Sequence, residues 1–131
     1  MLEQPLILGP LAQALASLDD ALAQPKNDYL RDSVIQRFEY TYELAWKAVR
    51  RYLMWAGLGG DVDALSRKDL FRAAGQAGLI EDVGAWFEFH KMRNLTSHTY
   101  NAQVAEAVYG AARDFAGAAR SPLAELERRN A

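Results

Sequence analysis

The chain contains no cysteine. A disulfide framework, a thiolate zinc site and thiol catalysis therefore lie outside its chemistry. No apolar run reaches the roughly 18 residues that a membrane-spanning helix needs. There is no excess of positive charge either: 15 Lys and Arg face 17 Asp and Glu, a formal net charge of −2. A general nucleic-acid coat would be basic overall, so only a local basic site stays open. Histidine is scarce, with two in 131 residues. Neither completes a Glu-x-x-His spacing, which excludes the paired ligand motif of di-iron bundles. The first ten residues, MLEQPLILGP, are apolar but short and lack a basic start, so a signal peptide is not expected. A cytoplasmic protein is the expectation. No stretch alternates with a period of two, and repeats and low-complexity tracts are missing.

What is present is helical periodicity. Leu8, Leu11, Leu15, Leu18 and Leu22 recur at three- and four-residue spacing, the apolar stripe of a bundle helix. The segment from Gln24 to Asp28 stops it. A long helix is expected from Asp28 to about Ala56. Val34, Phe38, Thr41, Ala45, Val49 and Tyr52 mark one face, and Ile35, Tyr42, Trp46 and Leu53 widen it. A stripe this wide predicts contact with more than one neighbour. Glu43 and Lys47 are spaced for an i,i+4 pair. Gly57 and the glycines at 59 and 60 should end the helix.

Ser66-Arg67-Lys68-Asp69 reads as a capping box opening a short helix to about Gln76, with Gly75 and Gly78 bracketing its end. A further helix starts near Glu81-Asp82 and carries Val83, Trp86, Phe87 and Phe89 towards Arg93. Asn101 is a suitable N-cap. Val104, Val108, Ala111, Phe115 and Ala118 then repeat 4-3-4-3, and Ser121-Pro122 is expected to start a last short helical tail. The expected fold is a single all-α domain over residues 1–131, an up-and-down bundle of four main helices with one short extra helix.

The chemistry concentrates in RNLTSHTY, residues 93–100. On a straight helix Asn94 and His98 share a face, while Arg93 and His98 are roughly 140° apart around the axis. Thr96, Ser97 and Thr99 compete with the backbone for hydrogen bonds, so a break is expected there, exposing His98 near a turn. Histidine moves protons near neutrality. Arginine grips a phosphate bidentately and offsets charge developing on it, and Asn94 can orient the imidazole. These residue types suit metal-independent RNA cleavage with the ribose 2′-hydroxyl as nucleophile. The reaction wants both a base and an acid, and a two-fold dimer would bring a second histidine. The plainer reading is a helix C-terminus with a cation at its negative end and a satisfied histidine.

The other candidates read as structural. His90 precedes His98 by about 12 Å along a straight helix, too far to share a metal ion, and is expected to be structural or exposed. Asp61-Val62-Asp63 resembles a carboxylate pair for magnesium, but a linker and helix start is the stronger reading. Trp46, Trp55 and Trp86 are expected in the core or an interface. Lys47, Arg50 and Arg51 read as a solvated helix face.

Two stretches, RDSVIQRFEYTYELAWKAVRRYL and GLIEDVGAWFEFHKMRNLTSHTYN, together resemble the nucleotidyltransferase substrate-binding family of the HEPN superfamily, over about residues 8–120. Arg93 to Tyr100 matches the R-x4-H-x-Y motif of HepT-type toxins within it. The resemblance implies a HEPN helical bundle, a homodimer, and a minimal nucleotidyltransferase (MNT) as partner. It implies that Arg93, Asn94 and His98 are ribonuclease residues acting on RNA, with tRNA a candidate substrate. It also implies that Tyr100 is adenylylated by the partner, which silences the toxin by adding bulk and phosphate charge beside the arginine. No cofactor or metal is implied. The alternative within the family is a non-catalytic subunit that presents substrate to the nucleotidyltransferase.

Overall fold

The computed structural model describes residues 6–130. Five α-helices follow one another: α1 Gly9–Leu22, α2 Asp28–Ala56, α3 Arg67–Gln76, α4 Val83–Asn94 and α5 Ala102–Asn130. Two 3-10 turns intervene, Val62–Ala64 before α3 and Thr96–His98 between α4 and α5. No strand occurs among the described residues. Helix α2 is the spine: α1 and α5 pack along it, α4 lies against α5, and α3 closes on α4.

The boundaries follow from local chemistry. Asn27 caps α2 by accepting the Leu30 amide at 2.8 Å. Ser66 accepts the Asp69 amide at 3.1 Å, and Asp82 the Ala85 amide at 3.0 Å. Asn101 accepts from Gln103 and Val104. Each satisfies an amide that a helix start otherwise leaves unpaired. Gly57 ends α2 in the left-handed region at φ +71°, and Leu58 N–H returns to the Leu53 carbonyl at 2.9 Å. That backbone is open to glycine at little cost. Gly75 has a different role from the expected bracket. It sits inside α3, where a Cβ would come within 2.6 Å of the Val83 side chain, so its bareness lets α3 approach the start of α4.

The broad face expected on α2 is the core face. Val34, Ile35, Phe38, Thr41, Tyr42, Ala45, Val49, Tyr52 and Leu53 are all buried, whereas Trp46 is half-buried at the edge. Phe115 of α5 is the aromatic hub. It is completely buried and meets Phe38, Trp86 and Phe89 edge-on, with ring centroids 5.3–5.5 Å apart. On α5 the centre of the stripe lies one residue off the expected one at several turns: Ala105, Ala112 and Ala119 are buried, Val104, Ala111 and Ala118 only half-buried.

The expectation of a separate tail at Ser121-Pro122 is corrected. Helix α5 runs unbroken through Pro122 to Asn130. A proline inside a helix removes one backbone bond and crowds the preceding turn. Packing overrides this: Pro122 and Leu126 are buried, and Asn130 Nδ2 donates to the Leu6 carbonyl at 3.3 Å. Truncating the hub as Phe115→Ala should cost about 3–5 kcal/mol, transfer and cavity terms together, read as a lower urea midpoint with helical circular dichroism retained in the absence of urea.

Candidate functional site

Helix α4 stops where the hydroxyl-rich segment begins. Thr96 Oγ1 lies 2.8 Å from the Arg93 carbonyl and Thr99 Oγ1 lies 3.1 Å from the Thr96 carbonyl. These side chains occupy acceptors that a continuing helix would use. The chain tightens into a 3-10 turn, closed by His98 N–H to Leu95 O at 2.9 Å and Asn101 N–H to His98 O at 3.2 Å. The straight-helix angles for residues 93–100 therefore do not apply. His98 and Asn94 are exposed, and Tyr100 projects into solvent at 87 % exposure. The His98 and Tyr100 rings sit edge to face with centroids 6.3 Å apart.

Arg93 turns the other way, onto α2. Its Nε donates to Glu43 Oε2 at 3.1 Å, and its Nη1 lies 3.3 Å from Glu39 Oε2. Thr96 Oγ1 is 3.1 Å from the same Glu39 oxygen. Its single proton serves either that carboxylate or the Arg93 carbonyl. Arg93 is thus a half-buried guanidinium fixed by two carboxylates, a charge-assisted arrangement. The side chains of Arg93 and Asn94 are not hydrogen-bonded to His98. The break brings His98 and Tyr100 together, while Arg93 at the end of α4 is held against α2.

Glu39 and Glu43 are absent from the sequence-based candidates. Spacing pairs Glu43 with Lys47, yet that pair spans 4.0 Å while Arg93 sits at 3.1 Å. The available signal is the polar series Glu39, Glu43, Trp46, Arg50 at 4-3-4 spacing, a second stripe on α2 beside the apolar one. Among the described residues no three His, Asp or Glu side chains gather as metal ligands. Asp63 instead ion-pairs with Arg50, in keeping with a linker role for Asp61-Val62-Asp63.

His90, expected to be structural or exposed, is half-buried and hydrogen-bonded to the core residue Tyr42. Arg67 Nη1 is 3.2 Å from Tyr42 Oη, and Tyr42 Oη is 2.9 Å from His90 Nδ1. Arginine only donates. Arg67 Nη1 also lies 3.5 Å from His90 Nδ1, and a donor there calls for an unprotonated Nδ1, which accepts the Tyr42 proton and leaves the His90 proton on Nε2. Burial pushes the Tyr42 hydroxyl up to about 12. Burial first, then the Arg67 charge, lowers the His90 pKa below its ordinary 6.5. A base depressed in the folded state takes up more protons unfolded. Its contribution to stability is complete above 6.5 and is lost as pH falls through the lowered folded value. In NMR titrations His90 should stay neutral to lower pH than a free imidazole, and Arg67→Gln, which removes the nearest positive charge acting on it, should raise its midpoint.

Comparison with known proteins places these features in a family context. A family model described as nucleotidyltransferase substrate binding protein like matches residues 7–128. A Haemophilus influenzae protein named probable ribonuclease HepT is 39 % identical over 104 residues, covering 79 % of this chain and 71 % of that protein. A solved Haemophilus influenzae structure, described as the fold of a substrate binding domain of a nucleotidyltransferase, superposes with a TM-score of 0.85 at 34 % identity, covering 92 % of this chain and 99 % of that one. A Thermus thermophilus structure gives 0.76 at 33 % identity, covering 90 % and 99 %.

Proposed function

Because the chain belongs to the nucleotidyltransferase substrate-binding-protein-like family, we propose that it is the HEPN toxin of an MNT–HEPN toxin–antitoxin pair. In this reading it is a metal-independent endoribonuclease acting through Arg93, Asn94 and His98, and its nucleotidyltransferase partner silences it by adenylylating Tyr100. The observation that carries the reading is the helix break itself: an exposed imidazole, an exposed phenol beside it, and, at the end of the preceding helix, a guanidinium anchored on α2. The relative named probable ribonuclease HepT supports the assignment.

His98 takes the proton of a ribose 2′-hydroxyl. The resulting oxygen attacks the adjacent phosphorus, the 5′-oxygen leaves with a proton, and a 2′,3′-cyclic phosphate remains. Arg93 offsets the charge that gathers on the phosphoryl oxygens. The leaving oxygen needs an acid, and one chain offers one histidine at this turn. A two-fold homodimer supplies the second from the copy. Silencing follows from placement: attack of Tyr100 Oη on the α-phosphorus of ATP releases pyrophosphate and leaves AMP on a ring 6.3 Å from the His98 ring. The added bulk and negative charge then occupy the face that RNA must approach.

A second reading, a non-catalytic subunit that presents substrate to the nucleotidyltransferase, draws on the engagement of Arg93 by two carboxylates. A phosphate would have to compete with Glu39 and Glu43 for that guanidinium. The two readings part on RNA cleavage. Purified protein should cut total tRNA, and His98→Ala should lower the rate by about a hundredfold or more without moving the melting temperature, since His98 is exposed. Silence from both proteins, together with a stable complex with the nucleotidyltransferase, would favour the second reading.

Silencing is tested separately. Incubation with the partner, ATP and Mg²⁺ should add one or more AMP masses to the wild type, located at Tyr100, and none to Tyr100→Phe. Mass added equally to both would contradict the silencing step.

A further inference from the structure

A second polar site lies along α2 from the helix break. A cleft of about 350 Å³ opens between α2, the Val62–Ala64 turn, α3 and α4, lined by Trp46, Arg50, Asp63, Ser66, Arg67 and His90 among others. Its polar lining is mostly donors. Arg67 is half-buried and lies over the Trp46 ring, its guanidinium carbon 3.5 Å from the ring centroid. Among the described residues no carboxylate pairs with it; its one donated hydrogen bond of good length, from Nη1, goes to the neutral Tyr42 hydroxyl. The remaining polar atom of His90 is Nε2–H, also a donor. Trp46 Nε1 is shielded from solvent and has no acceptor among the described residues. The one carboxylate of the lining, Asp63, is held by Arg50 at the rim.

A half-buried cation without a counter-charge, beside a neutral imidazole donor, is a set arranged for an anion. The planar fork of Arg67 suits phosphate oxygens bidentately. The cleft and the break lie along one stripe of α2. Glu39 and Glu43 meet Arg93, Trp46 meets Arg67 and Arg50 meets Asp63, all on one stripe of α2 that spans about 16 Å. On α4, His90 lies three and four residues before Arg93 and Asn94 and so shares their face.

The geometry points to a phosphate-binding subsite built on Arg67 and His90, with the Trp46 ring backing the guanidinium, which holds a backbone phosphate of the RNA strand whose scissile bond lies at His98. The choice of RNA as the source of that phosphate rests on the ribonuclease reading. The subsite itself does not, and a free nucleotide offers the same group.

The test is a titration of ¹⁵N-labelled His98→Ala protein, which leaves the strand uncut, with AMP and separately with a short single-stranded RNA. The readout is the Trp46 indole N–H, assigned with Trp46→Phe, together with the amides of Thr96 and His98→Ala. RNA should move the indole and both amides together. Arg67→Gln should weaken RNA binding about tenfold or more and abolish the indole shift, while the amides still respond at high RNA. Arg50→Gln, on the exposed rim, should weaken binding severalfold and guards against a folding artefact. An indole moved by AMP but not by RNA keeps the subsite and overturns the strand assignment. An indole unmoved by both, or an Arg67→Gln affinity equal to the parent's, overturns the subsite. Absence of ribonuclease activity in the wild type would leave these shifts untouched, so the two readings fail separately.

Discussion

The candidate site depends on one local competition, between the Thr96 hydroxyl and the backbone for the Arg93 carbonyl. The 2.8 Å contact uses the acceptor that a longer α4 would need, and Thr99 repeats it on Thr96. With the helix stopped at Asn94, the chain turns, Asn101 caps a new helix, and His98 and Tyr100 are left facing solvent. Were α4 continuous, His98 would fall on the Asn94 face, well round the axis from Arg93. The stop is cheap because Thr and Ser are weak helix formers. It is held from the other side by Glu39, whose carboxylate pairs with Arg93 and lies 3.1 Å from the Thr96 hydroxyl oxygen.

Helix α2 ties this turn to the rest of the molecule because it carries two stripes. The apolar one packs Phe38 and Tyr42 against Phe115 and fixes the positions of α4 and α5. The polar one, Glu39 to Arg50, receives cations from α4 and α3 and pairs its own Arg50 with the Val62–Ala64 turn. Tyr42 joins the two, with a ring in the core and a hydroxyl between Arg67 and His90. Core packing and site geometry are therefore coupled through single residues, in an all-α bundle of the HEPN type with a short extra helix.

Much of this is readable in the chain. The caps at Ser66, Asp82 and Asn101 and the stop at Gly57 each rest on a side chain or a φ angle that acts locally, and local rules locate them. The break at Thr96 is legible for the same reason. What stays hidden depends on tertiary contacts. Glu39 and Glu43 gain their roles only when α4 comes alongside α2, across about fifty residues of sequence. Pro122 carries a strong local signal that burial of its ring and of Leu126 overrules. Trp46 fits the periodicity of the core face and packs at its edge, but its ring also meets the Arg67 guanidinium.

In the proposed function His98, at the break, cuts RNA by activating the 2′-hydroxyl without a metal. The most direct measurement of this is the chemistry of the new RNA ends after cleavage in EDTA. The account predicts a 2′,3′-cyclic phosphate on one fragment and a free 5′-hydroxyl on the other. A 5′-phosphate with a 3′-hydroxyl, or cleavage that EDTA abolishes, would contradict it.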